Sequence, residues 1–171
     1  MASHRESRSI ALPRDWLFDI VADVERYPEF LPLMREARVI SRRQDAYETE
    51  QRLALGVLTH GFRTCTELDR PHAISVVSDD RAFGRFAIRW VFSLRGDDHC
   101  HVDFTLDCVA RSLLLRPVID MLILPMASTM VSAFEARAHA LAAKGDASGG
   151  LRLPALPPAG SEVDSRIRPQ S

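Results

Sequence analysis

The most constraining feature of this sequence is a change in the spacing of its apolar residues. Apolar and polar side chains alternate in six segments, near 34–42, 46–55, 58–68, 72–78, 84–94 and 99–109. A period of two is typical of strands that bury one face. Aspartates that favour turns separate some of these segments, at Asp45, Asp79-Asp80 and Asp97-Asp98. The middle of the chain is therefore predicted to form an antiparallel sheet.

Helical spacing precedes these strands. Residues 7–12 read as a short first strand, and Pro13 follows at a position where the first turn of a helix tolerates proline. Apolar residues then recur every three to four positions up to about Val24, which predicts a helix over 13–24. The segment 27–32 has room for one helical turn between its two prolines.

A long helix is predicted after the last strand. Ser112 can cap its N-terminus, and the helix should run to about Ala142, with a kink at Pro125 because proline cannot donate a backbone hydrogen bond. Its longest charge-free run, Met121 to Phe134, has 14 residues, short of the roughly 20 that span a bilayer. One such helix lying across a curved antiparallel sheet gives an α+β domain with a single concave face.

The chain divides into a domain over 1–143 and a tail over 144–171. The tail is rich in proline and glycine and is predicted to be disordered. The 171 residues carry a formal net charge of -1, which disfavours a DNA-binding role. No apolar segment follows the charged N-terminal residues, and the three cysteines lack metal-binding spacing. We therefore expect a cytoplasmic protein, with peripheral contact at the inner face of the membrane as an open alternative.

Several polar residues fall on the inward face of the predicted strands. By alternation, Thr49 and Gln51 share a face with Leu53, and His60 and Thr64 share a face with Phe62. Buried polar groups without partners are costly, so a solid core rarely contains so many. A mostly apolar cavity with a few polar groups would account for them.

Short motifs along the same region carry a family resemblance. They are Tyr27-Pro28-Glu29-Phe30-Leu31-Pro32, Ala37-Arg38-Val39-Ile40, Phe86 with Trp90-Val91-Phe92, Cys100-His101-Val102-Asp103-Phe104, and Met130-Val131 with Ala133-Phe134-Glu135-Ala136-Arg137-Ala138. With these motifs, residues 5–143 resemble the coenzyme Q-binding START-domain family of bacterial and related proteins. That family includes the RatA-like proteins, is labelled polyketide cyclase/dehydrase, and belongs to the helix-grip SRPBCC superfamily.

The resemblance implies a helix-grip (START/Bet v 1-like) fold that encloses a cavity between the sheet and the C-terminal helix. It also implies a ubiquinone-like ligand, with no catalytic residues, no metal and no other cofactor. The ligand-binding residues it suggests are Tyr27, Phe30, Leu31, Trp90, Phe92 and Phe104. The inward strand faces and the helical stripe add Gln51, His60, Phe62, Thr64, Phe86, Leu122, Met126 and Met130.

Three functions remain open from the sequence. The first is a quinone-binding or chaperone protein that supports respiration. The second is a polyketide cyclase or aromatase, in which His60 would move protons inside the same cavity, although His60 can also lie at the rim of the sheet. The third is a RatA-type toxin that contacts the ribosome through Arg35, Arg38, Arg42, Arg43 and Arg52. The segment 113–124 is apolar around more of its circumference than a one-sided helix requires. Either both sides are buried, one against the sheet and one against a partner or the short helix, or the outer side touches a bilayer or a second chain.

Overall fold

The computed structural model of the chain describes residues 2–96 and 99–147. The predicted turn at Asp97-Asp98 and the predicted tail after Ala147 lie outside the described residues. Residues 144–147, which the sequence assigned to that tail, form the last turn of a helix.

Seven antiparallel strands form one sheet in the order β1-β7-β6-β5-β4-β3-β2. The strands are β1 (Ala2–Ile10), β2 (Met34–Arg42), β3 (Ala46–Leu55), β4 (Leu58–Asp69), β5 (Ala73–Val77), β6 (Phe83–Leu94) and β7 (Cys100–Ala110). The six strands expected from alternation are confirmed, with ends that differ by one residue at most. The predicted α+β fold, a curved antiparallel sheet around a long C-terminal helix, is likewise confirmed.

The first strand is longer than the sequence indicated. β1 begins at Ala2 rather than residue 7 and ends at Ile10 rather than residue 12, and it pairs along its whole length with β7, from Ala2 opposite Cys108 to Ile10 opposite Cys100. As an edge strand it has one side open to solvent, so it accepts polar residues that carry little apolar signal. The apolar pattern of the sequence therefore did not indicate the first half of β1.

Irregular pairing bends the sheet. The β2–β3 register shifts twice, between Met34 and Glu36 and between Val39 and Ser41, and the β6–β7 register shifts between Phe83 and Arg85. Such bulges increase twist and bend a strand, which lets a sheet wrap around a helix.

Two short helical elements lie between β1 and β2. Helix α1 (Arg14–Ala22) begins after Pro13, and a 3₁₀ helix (Val24–Glu29) follows it. The ring of Phe18 is buried against Phe92 of β6, with centroids 5.6 Å apart. This contact holds α1 against the concave face of the sheet.

The C-terminal helix is continuous but irregular in its first half. A 3₁₀ turn (Leu113–Leu115) leads into α2 (Arg116–Val118), a π-helical segment (Ile119–Ile123) and α3 (Leu124–Ala147). Pro125 cannot donate to the carbonyl of Met121, and Leu124 instead donates to Ile119, five residues back. A kink was predicted at Pro125, and the feature found there is a π-helical turn directly before the proline. The predicted cap Ser112 makes no side-chain capping bond.

By length and composition alone, the helical stretch Leu113–Gly145 could cross a membrane. Half of its most apolar window is nevertheless buried against the rest of the domain. Phe134 packs on Trp90 of β6 at 5.2 Å between centroids, and Glu135 accepts a 2.7 Å hydrogen bond from Arg8 of β1. This helix is therefore the core helix of the domain.

Candidate functional site

A small internal cavity lies between the sheet and the C-terminal helix. Its free volume is about 30 Å³. It is lined by Val24, Tyr27, Tyr47, Gln51, Phe62, Thr64, Thr66, Ile74, Val76, Phe86, Ile88, Trp90, Met126 and Met130. Most of these side chains are apolar, and five of the lining residues carry aromatic rings.

The cavity has very little free volume. One water needs about 10–15 Å³, and a benzene-sized ligand needs about 150 Å³. A ring-bearing ligand therefore has to displace side chains before it fits. Met126 and Met130, buried on α3, are suited to this because methionine is unbranched and adopts several rotamers at low cost.

The structure brings together eight of the residues predicted from the sequence. Tyr27, Gln51, Phe62, Thr64, Phe86, Trp90, Met126 and Met130 all line the cavity. The period-two alternation of β3, β4 and β6 places the strand residues of this set on one face. The four-residue spacing of the two methionines places both on the same side of α3.

The other predicted residues lie elsewhere. Leu31, Phe104 and Leu122 are buried in the core, away from the cavity lining. Phe92 borders a second, smaller space beside α1. Phe30 packs against Tyr27 and Phe134, both about edge-on, under the guanidinium of Arg137. Apart from Phe30, which is only half-buried, these side chains are buried in the core without bordering the cavity.

His60 stacks on Phe62 and meets the edge of Phe83, each at 5.9 Å between centroids, and it does not line the cavity. Its Nε2 is buried without a hydrogen-bond partner among the described residues. Burial lowers the pKa of His60 below its ordinary value, against an opposing effect of the Asp80 charge. Burial therefore favours the neutral form of the ring, which sits at the end of the sheet rather than inside the cavity.

The sequence missed six lining residues, namely Val24, Tyr47, Thr66, Ile74, Val76 and Ile88. Most of them carried a usable signal. Tyr47 and Thr66 lie on the inward faces already identified, and Ile88 lies between Phe86 and Trp90 on theirs. Ile74 and Val76 belong to the short strand β5, in which alternation over five residues is weak.

A hydrogen-bonded cluster of three residues lies at the cavity: Gln51 and Thr64 line the wall, whereas Thr49 is fully buried and outside the lining. Thr49 and Thr64 face each other across β3 and β4, with 2.7 Å between their Oγ1 atoms. The amide nitrogen of Gln51 donates to both oxygens, over 2.9 Å to Thr49 and 3.0 Å to Thr64. We call these three residues the polar cluster.

Two tyrosines of the lining direct their hydroxyl groups away from the polar cluster. Tyr27 donates to the backbone carbonyl of Val21, and Tyr47 donates to that of Ala22 over 2.8 Å. Burial raises the pKa of both phenols well above the usual value. Neither phenol is therefore ionised at neutral pH.

The lining therefore contains no group that titrates near pH 7. Its polar atoms belong to threonine, glutamine and neutral tyrosine side chains. Such groups bind and orient a ligand by hydrogen bonds, whereas general acid–base catalysis needs a group with a pKa near the working pH.

The histidine of β7, His101, is not part of a metal-binding group. Nε2 of His101 lies 3.5 Å from Asp103, and Nδ1 of His101 lies 3.1 Å from the hydroxyl of Ser9. Among the described residues, no three or more potential ligands come close enough to hold a metal ion.

Exposed apolar side chains gather at one end of the sheet. They are Leu55 and Val57 at the β3–β4 turn, and Leu113 and Leu114 after β7. Phe83 shows that the β3–β4 turn and the end of β7 lie near each other. Its ring contacts His60, close to the turn, and its backbone pairs with Ala110, the last residue of β7. We call these four exposed residues the apolar rim.

An aromatic cluster separates the cavity from the apolar rim. Phe62 and Phe86 line the cavity, and both contact Phe83, at 5.6 and 5.0 Å between centroids. Phe83 in turn contacts His60 near the rim. A continuous line of ring contacts therefore runs from the cavity toward the apolar rim.

Comparison with known proteins places this architecture among characterised families. Residues 10–135 match the profile of the family described as polyketide cyclase/dehydrase and lipid transport. The ribosome association toxin RatA of Pseudomonas aeruginosa is 30% identical over 142 residues, which cover 82% of this chain and 99% of that protein. The coenzyme Q-binding protein COQ10 homolog B of Xenopus laevis, a mitochondrial protein, is 26% identical over 139 residues, or 79% of this chain and 57% of that protein.

A solved structure supports the fold assignment. The Zhui aromatase/cyclase of Streptomyces sp. R1128 superposes with a TM-score of 0.74, covering 88% of this chain and 99% of that one. Only 15% of residues are identical, so the likeness concerns the fold and not the reaction.

Proposed function

The chain belongs to the polyketide cyclase/dehydrase and lipid transport family, and we propose that its cavity binds a hydrophobic lipid-like ligand, specifically a prenylated quinone such as ubiquinone. The match to the family profile confirms the resemblance that the sequence motifs indicated, including the helix-grip fold. The coenzyme Q-binding relative gives the quinone assignment its support.

The observation that carries this proposal is the composition of the cavity wall. Phe62, Phe86 and Trp90 offer flat apolar surfaces to a ring, while one polar cluster offers hydrogen bonds to its substituents. A mostly apolar wall with a few placed polar groups is typical of sites for small hydrophobic molecules.

Binding accounts for this site better than catalysis does. The polyketide cyclase alternative needs a proton-transfer group at the ligand, and the sequence offered His60 for it. His60 lies outside the lining, beside Phe83. We therefore assign the chain a binding or chaperone role for the quinone, in support of respiration, and not an enzymatic one.

The apolar rim suits transient contact with a membrane. Leu113 and Leu114 are 80% and 89% exposed. Two basic residues, Arg111 and Arg116, flank them, and the same group of residues contains one acidic residue, Asp120. Exposed leucines insert into the lipid interface, and arginines favour anionic headgroups. We place the protein in the cytoplasm, at the inner face of the membrane while it exchanges ligand.

A vesicle assay tests this function. Vesicles of phosphatidylcholine and phosphatidylglycerol carrying ubiquinone are mixed with the protein and removed by flotation, and the quinone left with the protein is measured. We expect wild-type protein to extract quinone. A Leu113→Ser/Leu114→Ser variant should bind vesicles about tenfold less and extract correspondingly slowly, because it loses two leucine insertions.

Leu94→Ser is the matched control, since Leu94 is 57% exposed but lies at the opposite end of β6. It should behave like wild type. Equal extraction by the rim variant would contradict the membrane contact, and no extraction by wild type would contradict the function itself.

A second candidate function is contact with the ribosome, which the RatA relative favours. The five arginines suggested for it lie on or next to β2 and β3, but Arg38 pairs with Glu50 and Arg52 pairs with Glu36. Arg35 and Arg43 are exposed on the same edge of the sheet.

Sedimentation with purified ribosomes distinguishes this candidate. If the protein contacts the ribosome, wild type should sediment with ribosomes at low salt and lose that binding steeply as salt rises. An Arg35→Ala/Arg43→Ala variant should bind ribosomes more weakly than wild type. Sedimentation that is unchanged by salt and by these substitutions would exclude an arginine-mediated ribosome contact.

A further inference from the structure

The hydrogen atoms of the polar cluster can be assigned from its three contacts. The amide group of Gln51 donates one hydrogen to each threonine, and one threonine hydroxyl donates to the other. Turning the amide around would leave the 2.7 Å Thr49–Thr64 contact without a hydrogen, because both hydroxyls would then donate to the amide oxygen. The stated assignment is therefore the one that satisfies all three distances.

This assignment leaves two groups of the polar cluster without a hydrogen-bond partner among the described residues. One threonine hydroxyl hydrogen has no acceptor, and the amide oxygen Oε1 of Gln51 has no donor, among the described residues. Gln51 is only partly buried and lines the cavity, and its Oε1 is not one of the buried unpaired atoms. Since only Thr64 of the two threonines lines the cavity, Thr49 donating to Thr64 leaves the Thr64 hydrogen as the free donor and Oε1 of Gln51 as the free acceptor.

Two other polar groups of the wall are already engaged. Tyr27 and Tyr47 donate their hydroxyl hydrogens to backbone carbonyls. The two tyrosines therefore have no hydrogen left to donate to a ligand in the cavity.

From this pairing we propose that the cavity selects ligands bearing an aromatic hydroxyl group, a phenol or a hydroquinone, over ligands whose oxygens only accept hydrogen bonds. A hydroxyl accepts from the threonine and donates to Oε1 of Gln51, so that both groups are satisfied. A quinone carbonyl or an aryl ether accepts from the threonine but leaves Oε1 without a partner in an apolar site. The inference rests on the proposed function and names the oxidation state of the ring that the site prefers: the reduced one.

Two redox-stable probes test this preference without quinone chemistry. Para-pentylphenol and para-pentylanisole have the same ring and chain, but only the phenol can donate a hydrogen bond. Titration calorimetry on wild-type protein should give the phenol about tenfold higher affinity, the size of one well-formed hydrogen bond and one acceptor left unpaired. Reduced and oxidised decyl-ubiquinone, compared under reducing and oxidising conditions, should show the same order.

Two substitutions locate the preference in Gln51. Gln51→Leu should bring the phenol-to-anisole affinity ratio to about one, with circular dichroism confirming that the variant is folded. Thr66→Val removes a hydroxyl of the same wall that is not part of the polar cluster, so it should leave the ratio unchanged.

Equal binding of the two probes by wild type would overturn the inference and leave the proposed function standing. A preference that persists in Gln51→Leu would also overturn it. If neither the probes nor decyl-ubiquinone bind to wild-type protein, the proposed function fails together with the inference.

Discussion

Phe104→Ala should lower the free energy of unfolding by about 3–5 kcal/mol, the usual cost of removing a fully buried aromatic ring. The ring of Phe104 is 0% exposed and lies 4.6 Å from the Trp90 ring between centroids. Domains of this size are stable by only about 5–15 kcal/mol, so this one substitution removes a large part of the stability. Urea denaturation followed by circular dichroism measures the loss.

Ligand affinity should change little in the fraction of Phe104→Ala that remains folded, because Phe104 does not line the cavity. Phe30→Ala is the comparison, since Phe30 is only partly buried and its loss should cost clearly less. A Phe104→Ala protein of normal stability that no longer binds ligand would show that Phe104 contacts the ligand, as the family resemblance suggested, and that the packing described above is wrong.

Met126→Ala/Met130→Ala should move stability and ligand affinity in opposite directions. Both side chains are buried, 2% and 3% exposed, so each truncation should cost about 2–5 kcal/mol of unfolding free energy. The same truncations enlarge a cavity of about 30 Å³, so the ligand no longer has to displace two side chains. We expect binding of para-pentylphenol to tighten about tenfold, because an open state that was rarely populated becomes the common one.

Met121→Ala serves as the control for these truncations. Met121 lies on the same helix but is 49% exposed, so its loss should leave both stability and affinity close to wild type. Weaker binding by the Met126→Ala/Met130→Ala variant would mean that the methionines hold the ligand rather than occupy its place. The account of a closed cavity that opens on binding would then be wrong.

The sequence predicted the sheet well because its signal is local and repeated. Six strands alternate over many residues, and burial on one face is enough to fix which side chains point inward. The N-terminal half of β1 escaped prediction because an edge strand can be polar on its open side. The π-helical form of the break before Pro125 was not predictable, because proline excludes one hydrogen bond without specifying the arrangement that replaces it.

The candidate site was predicted less completely than the fold. Alternation within a single strand determines whether a side chain faces the core. Whether that side chain lines the cavity depends on which side chains of other elements pack against it. Phe104 and Phe62 both point inward, yet the rings of Trp90 and His4 pack against Phe104, while Phe62 borders the open space. His60 points the same way as Phe62 but lies nearer the end of β4, where Phe83 covers it. Tertiary packing, which alternation cannot report, decides these cases.

Native mass spectrometry of the intact protein tests the central claim most directly. The chain is produced in a bacterium that makes isoprenoid quinones, purified gently without detergent, and weighed before and after organic extraction. Ligand binding in the cavity predicts a species heavier than the bare chain by one quinone, with that quinone, in its reduced form under anaerobic handling, recovered in the extract. A single mass equal to the bare chain, together with an extract free of quinone and no uptake of added decyl-ubiquinone, would contradict the claim.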